Sequence, residues 1–320
     1  MKENIDVEGF LSTTDSYAIG HTIEYVDSTP STMSMAKKYI DHASAHASTR
    51  SGTVFVAEEQ THGRGRKSRV WNTPPGKALL FSTILQQPYL PQNPAFLAMV
   101  AGLAAAQAIE NFINAPADHV SLKWPNDLLL QLNHSSELKP TGSTLEMGKV
   151  GGILIESVFQ NNMVQYAIVG IGINVNQTLS ELPSPPFGAP KPTSIRLYLE
   201  KVMDRTALLT LLCRELSKIL TEYSHIASQS VSQDKQTEVI YYTWRNRLDT
   251  LNKQVAIYDH AHMPATGNKH KACGESLMPK PIILGKAVDV TIDGDLIIED
   301  AEGCRQKFSA GDVSVRAPHA

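Results

Sequence analysis

Between residues 120 and 175 the chain runs through strand-forming segments with no helix among them, and this limits the fold more than any other feature. Residues 120–124 read as a strand that ends at Pro125-Asn126-Asp127, a turn signal. Residues 127–131 read as extended again. Residues 150–159 and 166–175 are strands, with Asn161-Asn162 as the turn between them. Earlier strands are expected at 21–26, 54–57 and 79–85. Helices are expected only at the flanks, from 34, over 95–113 and over 206–223. Strands that follow one another beside flanking helices predict the α+β class.

The helix at 95–113 opens on an apolar run from Ala95 to Ala106. A membrane span needs about 20 such residues, and Gln107, Glu110 and Asn111 follow at once, so a buried core helix is predicted. In the later helix Leu209, Leu212, Leu216, Ile219 and Tyr223 recur at helical spacing, with Asp204 as N-cap. Residues 1–20 are polar and read as a loose tail. Residues 41–52 and 133–148 read as polar loops, the second a surface insertion. Residues 177–192 hold five prolines and form a further loop.

After about residue 248 the texture changes. Short β-type runs at 255–258, 287–292, 296–299, 306–308 and 313–316 predict a small all-β domain of the barrel type. Asp293-Gly294 is a type I′ hairpin signal. A loop rich in His, Lys and Pro spans 259–281; its His260, His262, His270 and Cys273 fit no tight zinc spacing and read as a polar loop. The expected division is a tail over 1–20, a main domain over 21–248 and a β domain over 249–320.

Composition is ordinary for 320 residues, with 42% hydrophobic and 19% charged residues, which excludes collagenous, disordered and disulfide-scaffold classes. A net charge of −3 supplies no field toward nucleic acid or an anionic membrane. Cys213, Cys273 and Cys304 are odd in number and form no Cys-x-x-Cys pair, which suits a reducing cytoplasmic setting. The acidic N-terminus has neither a signal-peptide nor a transit-peptide pattern. Without a secretory signal, the glycosylation patterns at Asn133 and Asn176 carry no meaning.

The chemistry concentrates in Glu58-Glu-Gln-Thr-His-Gly-Arg-Gly-Arg-Lys-Ser-Arg-Val-Trp71. Arg64, Arg66, Lys67 and Arg69 lie beside Gly63 and Gly65. Glycine lets backbone N–H groups approach an anion, arginine clamps carboxylate or phosphate in two-pronged fashion, and a Trp offers a stacking face. An RNA-binding Gly-Arg segment is the competing reading; one short basic run between apolar strands in an acidic chain is a poor footprint for it. Walker and Rossmann patterns are absent. Lys123-Trp-Pro-Asn-Asp127 places polar groups at a strand end, where sites are often built. Lys149-Val-Gly-Gly152 opens a strand with two glycines, a sign of close approach. Gly170-Ile-Gly172 precedes Asn174, a polar residue in an apolar strand.

Taken in order, Gln60-x-x-Gly63-Arg-Gly-Arg66-x-x-Arg69-x-Trp71, Lys123-Trp-Pro-Asn-Asp127, Gly151-Gly-Ile-Leu-Ile-Glu156 and Gly170-x-Gly-x-Asn174 resemble the biotin protein ligases. Val26-Asp-Ser-Thr-Pro-Ser-Thr-Met33 resembles the family's first Ser-Thr segment. The likeness covers about residues 22–320. It implies a mixed sheet flanked by helices, as in class II synthetases, and an SH3-like C-terminal domain. It also implies ATP-dependent formation of biotinyl-5′-AMP, then transfer to a lysine of a carboxylase's biotin carboxyl carrier domain. By resemblance, Lys123 and Arg64 are catalytic. Ser31, Thr32, Gln60, Gly63, Arg64, Lys123 and Gly152 bind biotin. Arg64, Arg66, Arg69, Trp71, Lys123 and Asn174 bind ATP or the adenylate. Residues 177–192 match a loop that orders over the nucleotide. Mg²⁺ is implied with ATP; no ligand is assigned, and Asp127 reads as a turn-former.

Ser28-Thr29 and Ser31-Thr32 are both candidates for the first motif; the second matches the Pro-Thr-Thr-Met form of animal enzymes better. Met33 replaces the Asn common in bacterial members, and the insertions at 133–148 and 259–281 have no counterpart. About twenty residues precede the catalytic region, too few for a helix-turn-helix, so no repressor function, no nucleic-acid partner and no membrane association are expected. Monomer and homodimer both stay open. A lipoate or octanoate ligase or transferase is the alternative; those enzymes generally lack the Gly-Arg-Gly-Arg loop with its Trp.

Overall fold

The computed structural model describes residues 4–42, 51–91, 93–132, 146–185, 187–227, 233–259, 280–310 and 313–317. The main sheet has seven strands: β1 (Ile23–Thr29), β2 (Val54–Gln60), β3 (Ala78–Leu85), β4 (Val120–Lys123), β5 (Asp127–Gln131), β6 (Met147–Gln160) and β7 (Met163–Asn174), in the order β1-β2-β3-β7-β6-β5-β4. The first pair is parallel and crosses over through α2 (Thr32–Asp41); the other neighbours are antiparallel. The sheet is mixed and the α+β class holds. Asn161 and Asn162 both take left-handed φ, 51° and 61°, as the two-residue hairpin between β6 and β7 requires.

Helix α3 (Pro94–Ile113) fills the core. Asn93 Oδ1 accepts from Ala95 N at 2.9 Å, proline stands in the first turn, and Asn114 ends the helix in the left-handed region. By length and composition α3 could cross a bilayer; here Ala104, Ala105, Ala106, Ala108 and Ile109 are fully buried. It packs against the sheet, α5 (Arg205–Ala227) and α6 (Gln233–Asn246). Asp204 Oδ1 accepts from Thr206 N at 2.8 Å and caps α5 as expected.

Three helices escaped the sequence reading. The expected loose tail carries α1 (Val7–Thr14), capped by Asp6 and anchored by Phe10, which is fully buried. Its string LSTT gives no apolar stripe to detect. Helices α4 (Ile195–Leu199) and α6 are short or polar. Met147 and Gly148, read as part of a loop, open β6. Residues 133–145 of that insertion, 43–50 of the 41–52 loop and 260–279 of the 259–281 loop, with Asn133, His260, His262, His270 and Cys273, lie outside the described residues, while Asp259 ends β8.

Strands β8 (Gln254–Asp259), β9 (Ile283–Val290), β10 (Leu296–Glu299), β11 (Arg305–Phe308) and β12 (Val313–Arg316) form a second, fully antiparallel sheet in the order β11-β10-β9-β8-β12. The β9–β10 turn is not type I′. Gly294 alone is left-handed, at φ 84°. Gly294 N donates to Thr291 O at 2.9 Å and Thr291 N to Asp295 O at 2.8 Å, a type I turn followed by a glycine bulge.

The chain passes from one sheet to the other beside β4: Leu122 N donates to Arg247 O and Asp249 N to Leu122 O, each at 2.8 Å. Trp124, 1% exposed, fastens the junction. Its backbone N–H donates to Thr250 Oγ1 and its indole N–H to Gly294 O, both at 2.9 Å.

A buried ion pair fixes the end of β2. Arg205 Nη2 meets Glu58 Oε2 at 2.7 Å, and Glu58 Oε1 accepts from Ile5 N at 3.2 Å and Tyr25 Oη at 2.8 Å. Burial, reinforced by Glu58, pushes the Tyr25 hydroxyl's pKa up. Arg205→Leu leaves a buried carboxylate without its cation and is expected to cost about 3–5 kcal/mol in urea denaturation. A loss under about 1 kcal/mol would mean that Glu58 is not held this way.

Candidate active site

The face of the sheet that carries Leu80 and Ser82 of β3, Gly170 and Gly172 of β7, and Gly152 and Leu154 of β6 is the floor of a cavity of about 290 Å³. The glycines on β7 are required by what lies on them. A Cβ at Gly172 would sit 2.8 Å from the Trp71 ring, and one at Gly170 would sit 2.8 Å from Met33 Sδ. The close approach that such glycines signal is therefore by side chains that share the cavity.

One end is polar. Helix α2 starts there, and Ser31 and Thr32 are each 2% exposed. Thr32 N and Thr32 Oγ1 donate to Gln60 Oε1 at 2.8 and 3.1 Å, and Ser82 Oγ lies 2.7 Å from Thr32 Oγ1. Gln60 thus has its carbonyl spent inside the protein and its amide nitrogen left for other partners.

The glycine-arginine loop forms one side. Trp71 N donates to Gly63 O at 2.9 Å and Gly65 N to Arg69 O at 2.7 Å. A Cβ at Gly63 would lie 2.1 Å from Trp71 O, so Gly63 lets the two arms of the loop meet. Gly63 does not itself face the cavity, whereas every other expected site residue does. Arg64 grips Glu156 with both prongs, at 2.8 and 3.2 Å. Arg66 Nη1 reaches Asn126 Oδ1 at 3.4 Å, and Arg69 Nη2 donates to Ser314 Oγ at 2.9 Å. The Trp71 indole N–H is buried without a partner.

Opposite stand the ends of β4 and β12. Lys123 Nζ donates to Val315 O at 3.2 Å. Asp127, at the head of β5, pairs with Lys149 at 2.6 Å. Ser314, Val315 and Arg316 complete this wall. The proline-rich loop supplies Pro183, Pro185, Ala189, Pro190 and Pro192. It is stitched to β6 where Lys149 N donates to Lys191 O at 2.7 Å and Thr193 N to Lys149 O at 2.8 Å.

The wall is crowded with cations. Burial pushes Lys123 down to about 8, against the pull of Asp127. Burial, aided by Arg69, pushes Arg316 down to about 10, and burial also lowers Arg66. Burial would raise Asp127, but Lys149 and Lys123 outweigh it and hold the carboxyl below its usual range. An anion entering this space meets donors already desolvated and aimed.

The sequence reading passed over three contributors. Lys149, at the head of the Gly-Gly strand, carries no local signal for a role. Asp127, expected as a turn-former, is an ion-pair partner. Arg316 had no local signal, because only the docking of the second sheet brings it here. Asn174 faces the cavity with most of its amide spent: Nδ2 donates to Thr193 O at 3.0 Å, and Oδ1 accepts from Gln177 Nε2 at 2.9 Å.

Comparisons with known proteins agree with this architecture. The family model described as Biotin/lipoate A/B protein ligase family matches residues 25–174, and that described as Biotin protein ligase C terminal domain matches residues 277–316. A Bifunctional ligase/repressor BirA of Bacillus subtilis is 34% identical over 165 residues, 52% of this chain and 44% of that protein; the match thus spans under half of that relative's length. A Biotin--[acetyl-CoA-carboxylase] ligase of Mycobacterium tuberculosis is 28% identical over 82% of this chain and 78% of its own. The biotin protein ligase of Aquifex aeolicus, solved in complex with biotin and ATP, shares the fold at a TM-score of 0.62 and 24% identity, over 93% of this chain and 99% of that one.

Lys123 gives a pH test. Its ammonium loses its proton near 8 in the folded chain and near 10.5 when unfolded. Between those values the unfolded chain binds more protons, so stability contributed by this site rises with pH and is lost as pH falls through 8. In urea denaturation the stability of the wild type relative to Lys123→Met is expected to increase from about pH 7 to about pH 10. A constant difference would show that Lys123 is not desolvated.

Proposed function

We propose, from the match of residues 25–174 to the Biotin/lipoate A/B protein ligase family and of residues 277–316 to the Biotin protein ligase C terminal domain and from the chemistry of the cavity, that the chain is an ATP-dependent biotin ligase. The observation that carries this reading is the continuity of one cavity. It runs from a hydrogen-bonding end at Ser31, Thr32 and Gln60, over a glycine floor, to a wall holding Arg66, Arg69, Lys123, Lys149 and Arg316. A substrate with a polar ring at one end and a carboxylate at the other fits that order, and the second anion it must meet is the ATP α-phosphate.

In the first step a biotin carboxylate oxygen attacks the α-phosphorus. The bond to the β-phosphate breaks, giving biotinyl-5′-AMP and pyrophosphate. In the second, a lysine ε-amine of a carboxylase carrier domain attacks the acyl carbon and AMP leaves. Both steps gather negative charge where cations already stand, so positioning and electrostatics supply most of the acceleration. Arg64 would exchange Glu156 for the biotin carboxylate. Lys149, beside Gly152 and 5.8 Å from the centre of the Trp71 ring, would sit where carboxylate and α-phosphate meet. Lys123, deeper and next to β12, would serve the phosphates with Arg66, Arg69 and Arg316. Trp71 would pack against adenine, and Asn174 would contact the nucleotide half.

Magnesium is a separate question. Among the described residues no three or more His, Cys, Asp or Glu gather into a metal site. Among the described residues facing the cavity Asp127 is the one carboxylate, and Lys149 already holds it. This wall does not fit a resident metal; Mg²⁺ would arrive on the ATP phosphates.

The test is exchange of labelled pyrophosphate into ATP with biotin, lipoate or octanoate. Biotin alone is expected to support it; exchange with lipoate or octanoate instead would move the chain to the neighbouring activity. Lys149→Ala is expected to slow biotin-dependent exchange by at least about 100-fold while the Kd for biotin changes far less. Lys123→Ala is expected to act chiefly on KM for ATP. If Lys149→Ala exchanges at near wild-type rate, the carboxylate meets another cation.

A further inference from the structure

The arginines of the glycine-arginine loop are tethered in two different ways. Arg66 and Arg69 end on neutral acceptors, Asn126 Oδ1 and Ser314 Oγ. Arg64 ends on a full negative charge: Nη1 lies 2.8 Å from Glu156 Oε1, and Nη2 donates to Oε2 at 3.2 Å. Side chains alternate along a strand, so Glu156 follows Gly152 and Leu154 on the face of β6 that floors the cavity. Arg64 faces the cavity and Glu156 stands just outside it. Packing gives no reason for a carboxylate there, since its partner on β7 is Ile168, 2% exposed.

Three observations make this contact one that a ligand can exchange. The backbone is fixed independently of the side chain: Arg64 forms an antiparallel bridge with Val70, and the Gly63–Trp71 and Gly65–Arg69 bonds flank it. The guanidinium can swing while the loop keeps its shape. Both side chains of the pair are more than a third exposed, 39% and 38%, so water replaces either partner at little cost. The rim is also poor in cations. Among the described residues Arg64 is the one ion-pair partner of Glu156, and burial, then Asp41 and Glu156, raises the pKa of the Tyr166 hydroxyl. A guanidinium that leaves Glu156 leaves a negative rim behind, which favours its return.

We propose that Glu156 is a positioning residue that competes with the substrate carboxylate for Arg64, so that the arginine loop senses the charge on the ligand's acyl end. This rests on reading the cavity as the site where a carboxylic acid is activated. In the empty site Glu156 holds Arg64 at the rim. An acid entering the cavity brings a second carboxylate, and Arg64 turns inward to it. Once the acyl group has passed to a lysine, that end is a neutral amide, and Glu156 is again the stronger partner. Arg64 swings back, and the amide product is left without its clasp. The carboxylate that weakens binding of the free acid thus resets the site after transfer.

The experiment measures Kd by calorimetry, without nucleotide, for biotin and for its neutral amide, biotinamide. It uses the full chain, Glu156→Gln, Arg64→Met and the double variant. Glutamine keeps the shape and still accepts from Arg64, but carries no charge. In Glu156→Gln biotin is expected to bind about two- to fivefold more tightly, while biotinamide changes by less than about twofold. The gain for biotin should shrink at about 1 M salt. In the Arg64→Met background Glu156→Gln should no longer matter, because the two residues act as one pair. Equal changes for acid and amide, or unchanged or weaker binding of biotin, would make the ion pair a mere staple of the rim and overturn the proposal. If wild-type exchange runs with lipoate instead of biotin, the substrate reading falls; lipoate and lipoamide then replace the biotin pair, and the same outcomes decide the role of Glu156.

Discussion

The structure turns on a crowd of like charges gathered around one carboxylate. Asp127 faces Lys149 at 2.6 Å, and the fields of Lys123 and Arg316 reach it as well. Arg66 and Arg69 stand on the adjoining loop. Desolvated cations repel, and each is tolerable only if something fixes it and shares its charge. The scaffold answers with single, specific tethers. Arg66 reaches Asn126, Arg69 reaches Ser314, Lys123 reaches the Val315 carbonyl, and Arg64 reaches Glu156. Apart from Glu156 these partners are neutral. The wall therefore stays electropositive, and an anionic ligand completes its charge balance.

That requirement explains why the second sheet is bolted down so firmly. Two of the four tethers end on β12, so a shift of β12 would loosen Arg69 and Lys123 together. Trp124 prevents this. It follows Lys123 directly, is buried at the junction, and binds Thr250 and Gly294 at two points. The residue that carries the ammonium into the cavity and the residue that locks the sheets are neighbours in sequence.

Much of this is legible in the sequence, because the strands announce themselves by composition and the turns by residue type. Asn161-Asn162 reads as a hairpin because asparagine tolerates left-handed φ. Asp293-Gly294 carries as strong a local signal and still folds as a type I turn with a bulge, since the flanking register decides between the two. The arginine loop gave itself away by density of charge and glycine. Helix α1 did not, as its stability comes from Phe10 inserted into the core and from the Asp6 cap rather than from an apolar stripe. Between the two lysines, local reading favoured Lys123, at a strand end beside a turn. Only the folded sheet shows that Lys149 shares the cavity, because β5 and β6 pair and bring Asp127 across from Gly152. Arg316 lies almost two hundred residues from Lys123 in sequence, and no spacing rule links them.

The chemistry of β12 also explains why a terminal strand can build part of a cavity wall without neutralising it. A carboxylate there would pair with Arg69 or Lys123 and would have to be displaced before any anion could bind. β12 offers a hydroxyl and a carbonyl instead, acceptors that orient a cation by its hydrogens while leaving its charge intact. It then adds Arg316, whose Nε is buried without a partner. Orientation and neutralisation are separate operations, and a site that gathers anions needs the first without the second. Asp127 is the exception that fixes Lys149, and it remains ionised because two ammonium groups hold it so.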